Sequence, residues 1–218
     1  MEKCIFLITF IWFSFTLNGK ASEIKIQQSG NTKILYFAKD SLVVSNGTVE
    51  FSPDSLSCIV LFYDSLIFKA YDFNKKELFN FAYNYDSAKI AVIGNDHRYA
   101  TVGFMHRDNL STIVFLNFYS NTGIKIKDSL YSTPTVYDVN MKFINNNELA
   151  ILQEVSAKTY VKRLLIFDEN YVRKLVTEIE YPSNEFIHPY YNSKRKFYLV
   201  KYYDSSIKKI QSIKIKSP

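Results

Sequence analysis

A unit of roughly 45 residues comes round about four times in this chain of 218 residues, and a period of that size marks architectures in which one supersecondary unit is copied and stacked. Each copy opens on a polar turn and runs into a strand rich in aromatic and β-branched residues. A second strand then ends in an aromatic just before a polar residue, and a third strand follows. The opening turns are Ser52-Pro53-Asp54, Gly94-Asn95-Asp96, Asn145-Asn146-Asn147 and Asn192-Ser193-Lys194. The aromatic-polar steps after the first three turns are Tyr71-Asp72, Tyr119-Ser120 and Phe167-Asp168.

Strand-forming segments follow one another along the whole chain, with polar breaks at the spacing expected of an all-β domain. The 17 tyrosines and 18 phenylalanines, with abundant Ile and Val, favour strands. A 47% hydrophobic content argues against disorder. The nearest thing to a helical stripe is Val172, Leu175, Val176 and Ile179, and the place of that segment as the closing strand of a unit decides for β. Hairpin-sized connections make sequence neighbours antiparallel neighbours in space. Four strands per unit, repeated, is the pattern of a β-propeller blade.

One copy carries a family resemblance. The run Val49-Glu50-Phe51-Ser52-Pro53-Asp54, then Cys58-Ile59-Val60-Leu61 and Ile67-Phe68-Lys69-Ala70-Tyr71-Asp72, resembles a WD40-like blade of the TolB type. In that family a Phe-Ser-Pro-Asp-Gly turn enters one strand and a hydrophobic strand ending in Asp follows; here Ser55 stands where the family has Gly. The resemblance implies a propeller with a binding role, and it brings no catalytic residue with it. The expected fold is a small propeller of 4 to 5 four-stranded antiparallel blades, with an open propeller arc or a β-sandwich as alternatives. The similar strands Ile24-Lys25-Ile26 and Ile213-Lys214-Ile215-Lys216 leave two arrangements open. The first could complete the last blade, or each could be an edge strand blunted by lysines.

Residues 1–21 read as a signal peptide, which leaves 22–218 as one propeller-like domain. Glu2 and Lys3 precede an apolar run from Cys4 to Leu17, and the small residues Gly19 and Ala21 stand where cleavage occurs. The run is short of the approximately 20 apolar residues that span hydrocarbon. A secreted or periplasmic protein without stable membrane insertion is therefore expected. Loss of the leader takes Cys4 with it and leaves Cys58 as the sole thiol, so stability has to come from a packed core and not from disulfides.

Chemistry-bearing motifs are scarce. His97, His106 and His188 show no metal-ligand spacing, and no Gly-x-Ser-x-Gly elbow, phosphate loop or dinucleotide fingerprint occurs. With no cofactor, no metal site and no catalytic residue assigned, Cys58 reads as a small buried hydrophobe. Two carboxylates suffice for glycoside cleavage. Asp64, Asp72, Asp86, Asp96, Asp108, Asp138, Asp168, Glu169 and Asp204 lie near strand ends, where acids also serve turn chemistry. The C-terminal part is basic, with Lys194, Arg195, Lys196, Lys201, Lys208, Lys209, Lys214 and Lys216 interleaved with Tyr190, Tyr191, Tyr198, Tyr202 and Tyr203. Export argues against nucleic acid, and one wet strand face explains the alternation. Asn46-Gly47-Thr48 and Asn109-Leu110-Ser111 match the glycosylation triplet.

The function expected from these residues is an exported, non-catalytic binding or scaffold protein for a protein or glycan partner outside the cytoplasm. The alternatives are a small secreted glycan-active hydrolase or lyase with a carboxylate pair, and a structural subunit of a larger assembly.

Overall fold

The computed structural model describes residues 23–83, 89–106, 111–134, 138–154, 160–183 and 185–218. These form eighteen strands in five antiparallel sheets. Blade 1 is β1 (Lys25–Ser29), β2 (Thr32–Tyr36) and β3 (Ser41–Val44). Blade 2 is β4 (Gly47–Phe51), β5 (Ser57–Phe62), β6 (Ile67–Asp72) and β7 (Glu77–Ala82). Blade 3 is β8 (Ile90–Ile93), β9 (Tyr99–His106), β10 (Ser111–Tyr119) and β11 (Lys125–Pro134). Blade 4 is β12 (Asp138–Phe143), β13 (Leu149–Glu154), β14 (Val161–Phe167) and β15 (Arg173–Glu180). Blade 5 is β16 (Ile187–Asn192), β17 (Phe197–Asp204) and β18 (Lys209–Lys216). The fold is a five-bladed β-propeller.

The repeat has a local physical cause. Its four opening turns join the first two strands of blades 2 to 5, and each places one non-glycine residue in the left-handed region: Ser55, His97, Asn147 and Lys196. The aromatic-polar steps mark the turn between third and fourth strands. There Asp72 Oδ1 accepts from the backbone N–H of Asn74 and Lys76, and Asp168 Oδ1 from Asn170 and Val172. Ser120 Oγ does the same for Thr122 and Ile124. A left-handed residue, Lys75, Gly123 or Tyr171, closes each turn, and each third strand carries a bulge at its end. That is a three-residue hairpin loop with the polar side chain holding the backbone that the loop leaves unpaired.

Polar residues of the opening turns also tie blades together. Asn95 Oδ1 accepts from Asp54 N–H, and Asn145 exchanges two hydrogen bonds with the backbone of Tyr191. Arg98 donates to the Glu169 carbonyl and lies 5.4 Å over the Tyr171 ring.

Alternate residues of each strand bury against the neighbouring blade, which produces four apolar seams. Leu35, Val44, Val60 and Tyr71 fill the first, and Ile59, Phe68, Phe79 and Tyr99 the second. Val102, Leu116, Phe118, Met141 and Leu165 fill the third, and Leu164, Ile179, Tyr181, Tyr198 and Val200 the fourth. Among the described residues no buried apolar cluster joins blade 5 to blade 1.

The pairing decides between the two arrangements left open for the end strands. The N-terminal strand does not complete the last blade: β1 pairs with β2, Lys25 opposite Tyr36, because a tight hairpin with Gly30 at φ 59 folds it back locally. Among the described residues blades 1 and 5 carry three strands each, blade 1 without a counterpart of β4 and blade 5 without a counterpart of β7.

Candidate functional site

The first strands of blades 2 to 5 stand side by side around the propeller axis. Their side chains meet in a cleft of about 370 Å³ lined by Glu50 of β4, Asn140 and Lys142 of β12, and Ile187 and His188 of β16, with Glu185 and Phe186 just before β16. Glu50 and Lys142 form an ion pair that crosses from blade 2 to blade 4 over the short strand β8. Asn140 donates to Asp138 Oδ2 at 3.3 Å. His188 is largely buried, and its Nδ1 has no hydrogen-bond partner. Burial first, and the nearby Lys142 charge second, push its imidazole down to about 4. At neutral pH the cleft therefore presents a mutually neutralised pair, an uncharged ring and one further carboxylate, Glu185.

The residues singled out by sequence disperse. His97 takes the left-handed position of the blade 3 opening turn, and His106 ends β9. Cys58 is fully buried in β5, and burial raises its thiol to about 12, the behaviour of an inert core group. Asp64 accepts from Asn46, Asp72 and Asp168 hold their turns, and Asp96 pairs with Arg98. Asp204 accepts from Ser206, and hydrogen bonding by Ser206 lowers its carboxyl. Only Asp138 reaches the neighbourhood of the cleft, through Asn140. The signal peptide, Asp86, Asp108, Asn109 and Leu110 lie outside the described residues. Sequence inspection missed Glu50, Lys142 and His188 as a group, because inner-strand residues far apart in the chain become neighbours only once the blades are stacked.

The basic, tyrosine-rich C-terminal part splits by strand parity. Tyr191, Tyr198 and Tyr202 turn into the seam with blade 4, Tyr198 completely. Tyr190 and Tyr203 remain exposed on the opposite face, whose other residues include Lys201, Ile210 and Lys214. Ile210 is 63% exposed there, and Lys214 Nζ lies 5.8 Å over the Phe197 ring. One face is core and the other an aromatic-basic surface, so the tyrosines do not form a single stacking platform.

No protein-family profile matches the chain, and no curated protein does. Solved structures are similar in shape at low identity. A Bacteroides caccae protein of unknown function aligns over 88% of this chain and 72% of its own, at 10% identity and TM-score 0.46. TolB from Acinetobacter baumannii aligns over 85% of this chain and 46% of its own, at 8% identity and TM-score 0.47. Kluyveromyces lactis Hsv2 aligns over 91% and 72%, at 10% identity and TM-score 0.47.

Proposed function

We propose that the chain is an exported, non-catalytic propeller module that binds a protein or glycan outside the cytoplasm. The leader-like segment Cys4 to Leu17 supports export. The observation that carries the binding reading is the distribution of acids. Asp72 and Asp168 hold turns, and of the two carboxylates that line the cleft, Glu50 and Glu185, Glu50 is engaged by Lys142, so a pair of free carboxylates does not face itself there among the described residues. Glycoside cleavage by two acids needs one to act as base or nucleophile and the other as acid. The exposed face of blade 5, with Tyr190, Tyr203 and Ile210, is the kind of aromatic and apolar surface that partners cover.

The test is a glycan and extracellular-protein array probed with the purified chain and with a Tyr190→Ala/Tyr203→Ala variant. Retention of a defined ligand, weakened at least about tenfold in the variant, supports the reading, since exposed aromatics dominate such contacts. Release of reducing ends from a polysaccharide, abolished by Glu50→Gln, would replace it with the enzymatic one. Cleavage of the expressed precursor after Ala21 tests export.

A further inference from the structure

Among the described residues the outer strand of blade 5 is β18, which is hydrogen-bonded on one side only, to β17. In blades 2, 3 and 4 a fourth strand occupies the equivalent edge. Beside β18 lies a groove of about 990 Å³ between the outer strand of blade 4 and blade 5. Its apolar surface comes from Val161, Ile179, Pro182, Tyr202, Ile213 and Ile215. The length of β18 sets an alternation: Ile213 and Ile215 face blade 4, while Lys214 and Lys216 project the other way and are exposed. By strand parity Glu178 and Glu180 turn to the opposite face of β15, where Glu178 pairs with Arg163.

From this geometry we infer that blade 5 takes up, as its fourth strand, an extended peptide of another extracytoplasmic protein in which apolar and acidic residues alternate. The inference rests on the binding reading and names its partner's chemistry. Backbone pairing along the open edge supplies affinity, and alternate side chains supply selectivity, which is how exposed sheet edges capture peptides. Residues opposite Ile213 and Ile215 meet the apolar wall, where a carboxylate would lose water without gaining a partner. Residues opposite Lys214 and Lys216 are favoured when acidic, because opposite charges on facing positions attract.

The same chain uses this rule internally. Lys69 of β6 meets Glu77 of β7 at 3.4 Å, and Arg163 of β14 meets Glu178 of β15 at 3.6 Å, each a basic third strand answered by an acidic fourth. A second copy of this chain is a poor occupant. Two β18 edges would set lysine against lysine, and the β1 edge of blade 1 brings Lys25.

The test is fluorescence anisotropy of a capped ten-residue peptide in which Ile and Glu alternate, titrated with the purified chain. Saturable one-site binding is expected. A Lys214→Glu/Lys216→Glu double variant should lose at least about tenfold in affinity for this peptide and gain affinity for an Ile-Lys analogue, given two facing charge pairs. Both lysines are exposed, so circular dichroism should show the fold unchanged. A second probe needs no protein variant: N-methylating one alternate set of peptide amides abolishes binding, while methylating the other set is tolerated, as strand pairing demands.

Absence of saturable binding, equal tolerance of both methylated peptides, or unchanged affinity in the double variant would overturn the inference. A dimer in light scattering that the peptide dissociates would do so in favour of a second copy. If these fail while the array ligand is still held through Tyr190 and Tyr203, only the strand-addition inference falls. Polysaccharide cleavage dependent on Glu50 removes the binding reading itself.

Discussion

The seam between blades 2 and 3 and the seam between blades 4 and 5 start from the same parts and finish differently. In both, the fourth strand of the earlier blade, β7 or β15, presents apolar residues to the later one: Phe79 and Phe81 in the first case, Leu175 and Ile179 in the second. In the first seam these rings close on Tyr99 and Tyr119, with Phe79 to Tyr99 at 4.0 Å and Tyr99 to Tyr119 at 4.4 Å, and blade 3 carries its own fourth strand, β11. In the second seam blade 5 has no such strand among the described residues, and a groove opens at the rim. The outer strand is thus what seals a seam. Without it, apolar residues that fold stability would keep covered stay at the surface.

The largest effect separating the two seams should come from their aromatic residues. Tyr99 is 1% exposed and stacked on both sides, so Tyr99→Ala should cost about 3–5 kcal/mol in urea denaturation, the range for emptying a large buried aromatic site. Tyr202, half-buried beside the groove, should cost about 1–2 kcal/mol when replaced by Ala, since part of its surface already meets water. Equal costs would break the contrast and place the stability of the fourth seam at its rim.

The next effect contrasts the axis with the rim and is read through pH. His188 titrates near 4 in the folded chain because it is buried beside Lys142, against an ordinary value of 6.5. The unfolded chain therefore takes up a proton first on acidification. Stability supported by His188 is fully present above about 6.5 and is lost as pH falls through 6.5 towards 4. With part of the ring near solvent, the loss should be about 1–2 kcal/mol. His188→Gln should flatten the pH dependence of the urea midpoint over that window. An unchanged slope would mean that the axis is wetter than the cleft suggests.

Asp168 tests the turn chemistry that makes the blades alike. Its carboxylate holds two backbone N–H groups that the loop would otherwise leave to water. Asp168→Ala should cost about 1–2 kcal/mol, and Asp168→Asn less than half of that, because the amide oxygen still accepts. Thermal unfolding of the pair separates the hydrogen bond from the charge.

Much of the architecture was legible because its signals are local. The turns at Ser52, Gly94, Asn145 and Asn192 and the aromatic-polar steps at Tyr71, Tyr119 and Phe167 report hairpin loops whose geometry is set within a few residues. Even the division of Tyr190 from Tyr191 follows from strand parity. The central cleft was not legible, since Glu50 and Lys142 meet across two blade seams and nothing in either residue's neighbourhood says so. The partnership of Ile24-Lys25-Ile26 stayed open between two readings in the sequence. A similar sequence at the two ends cannot tell a distant pairing from the nearer hairpin, and Gly30 favours the hairpin.

The smallest expected effect concerns the left-handed residue that ends each loop. Ser55 adopts φ 59 in the opening turn of blade 2, where an L side chain is crowded by the following carbonyl, while Gly123 adopts φ 84 in the blade 3 loop without that cost. A methyl group at Gly123 would meet nothing closer than 3.8 Å, so Gly123→Ala isolates the backbone penalty and should cost about 1 kcal/mol. Ser55→Gly removes the same penalty but loosens the unfolded chain, and the two oppose each other. The net should be a gain of no more than about 0.5–1 kcal/mol. The blade 2 turn is one residue longer, Ser52 N–H reaching the Ser57 carbonyl where Ser120 N–H reaches that of Ile124, but each loop places one residue left-handed, so the two changes in urea midpoint should have opposite signs. Destabilisation by Ser55→Gly would show that the blade 2 turn depends on contacts of its side chain and not on its left-handed backbone.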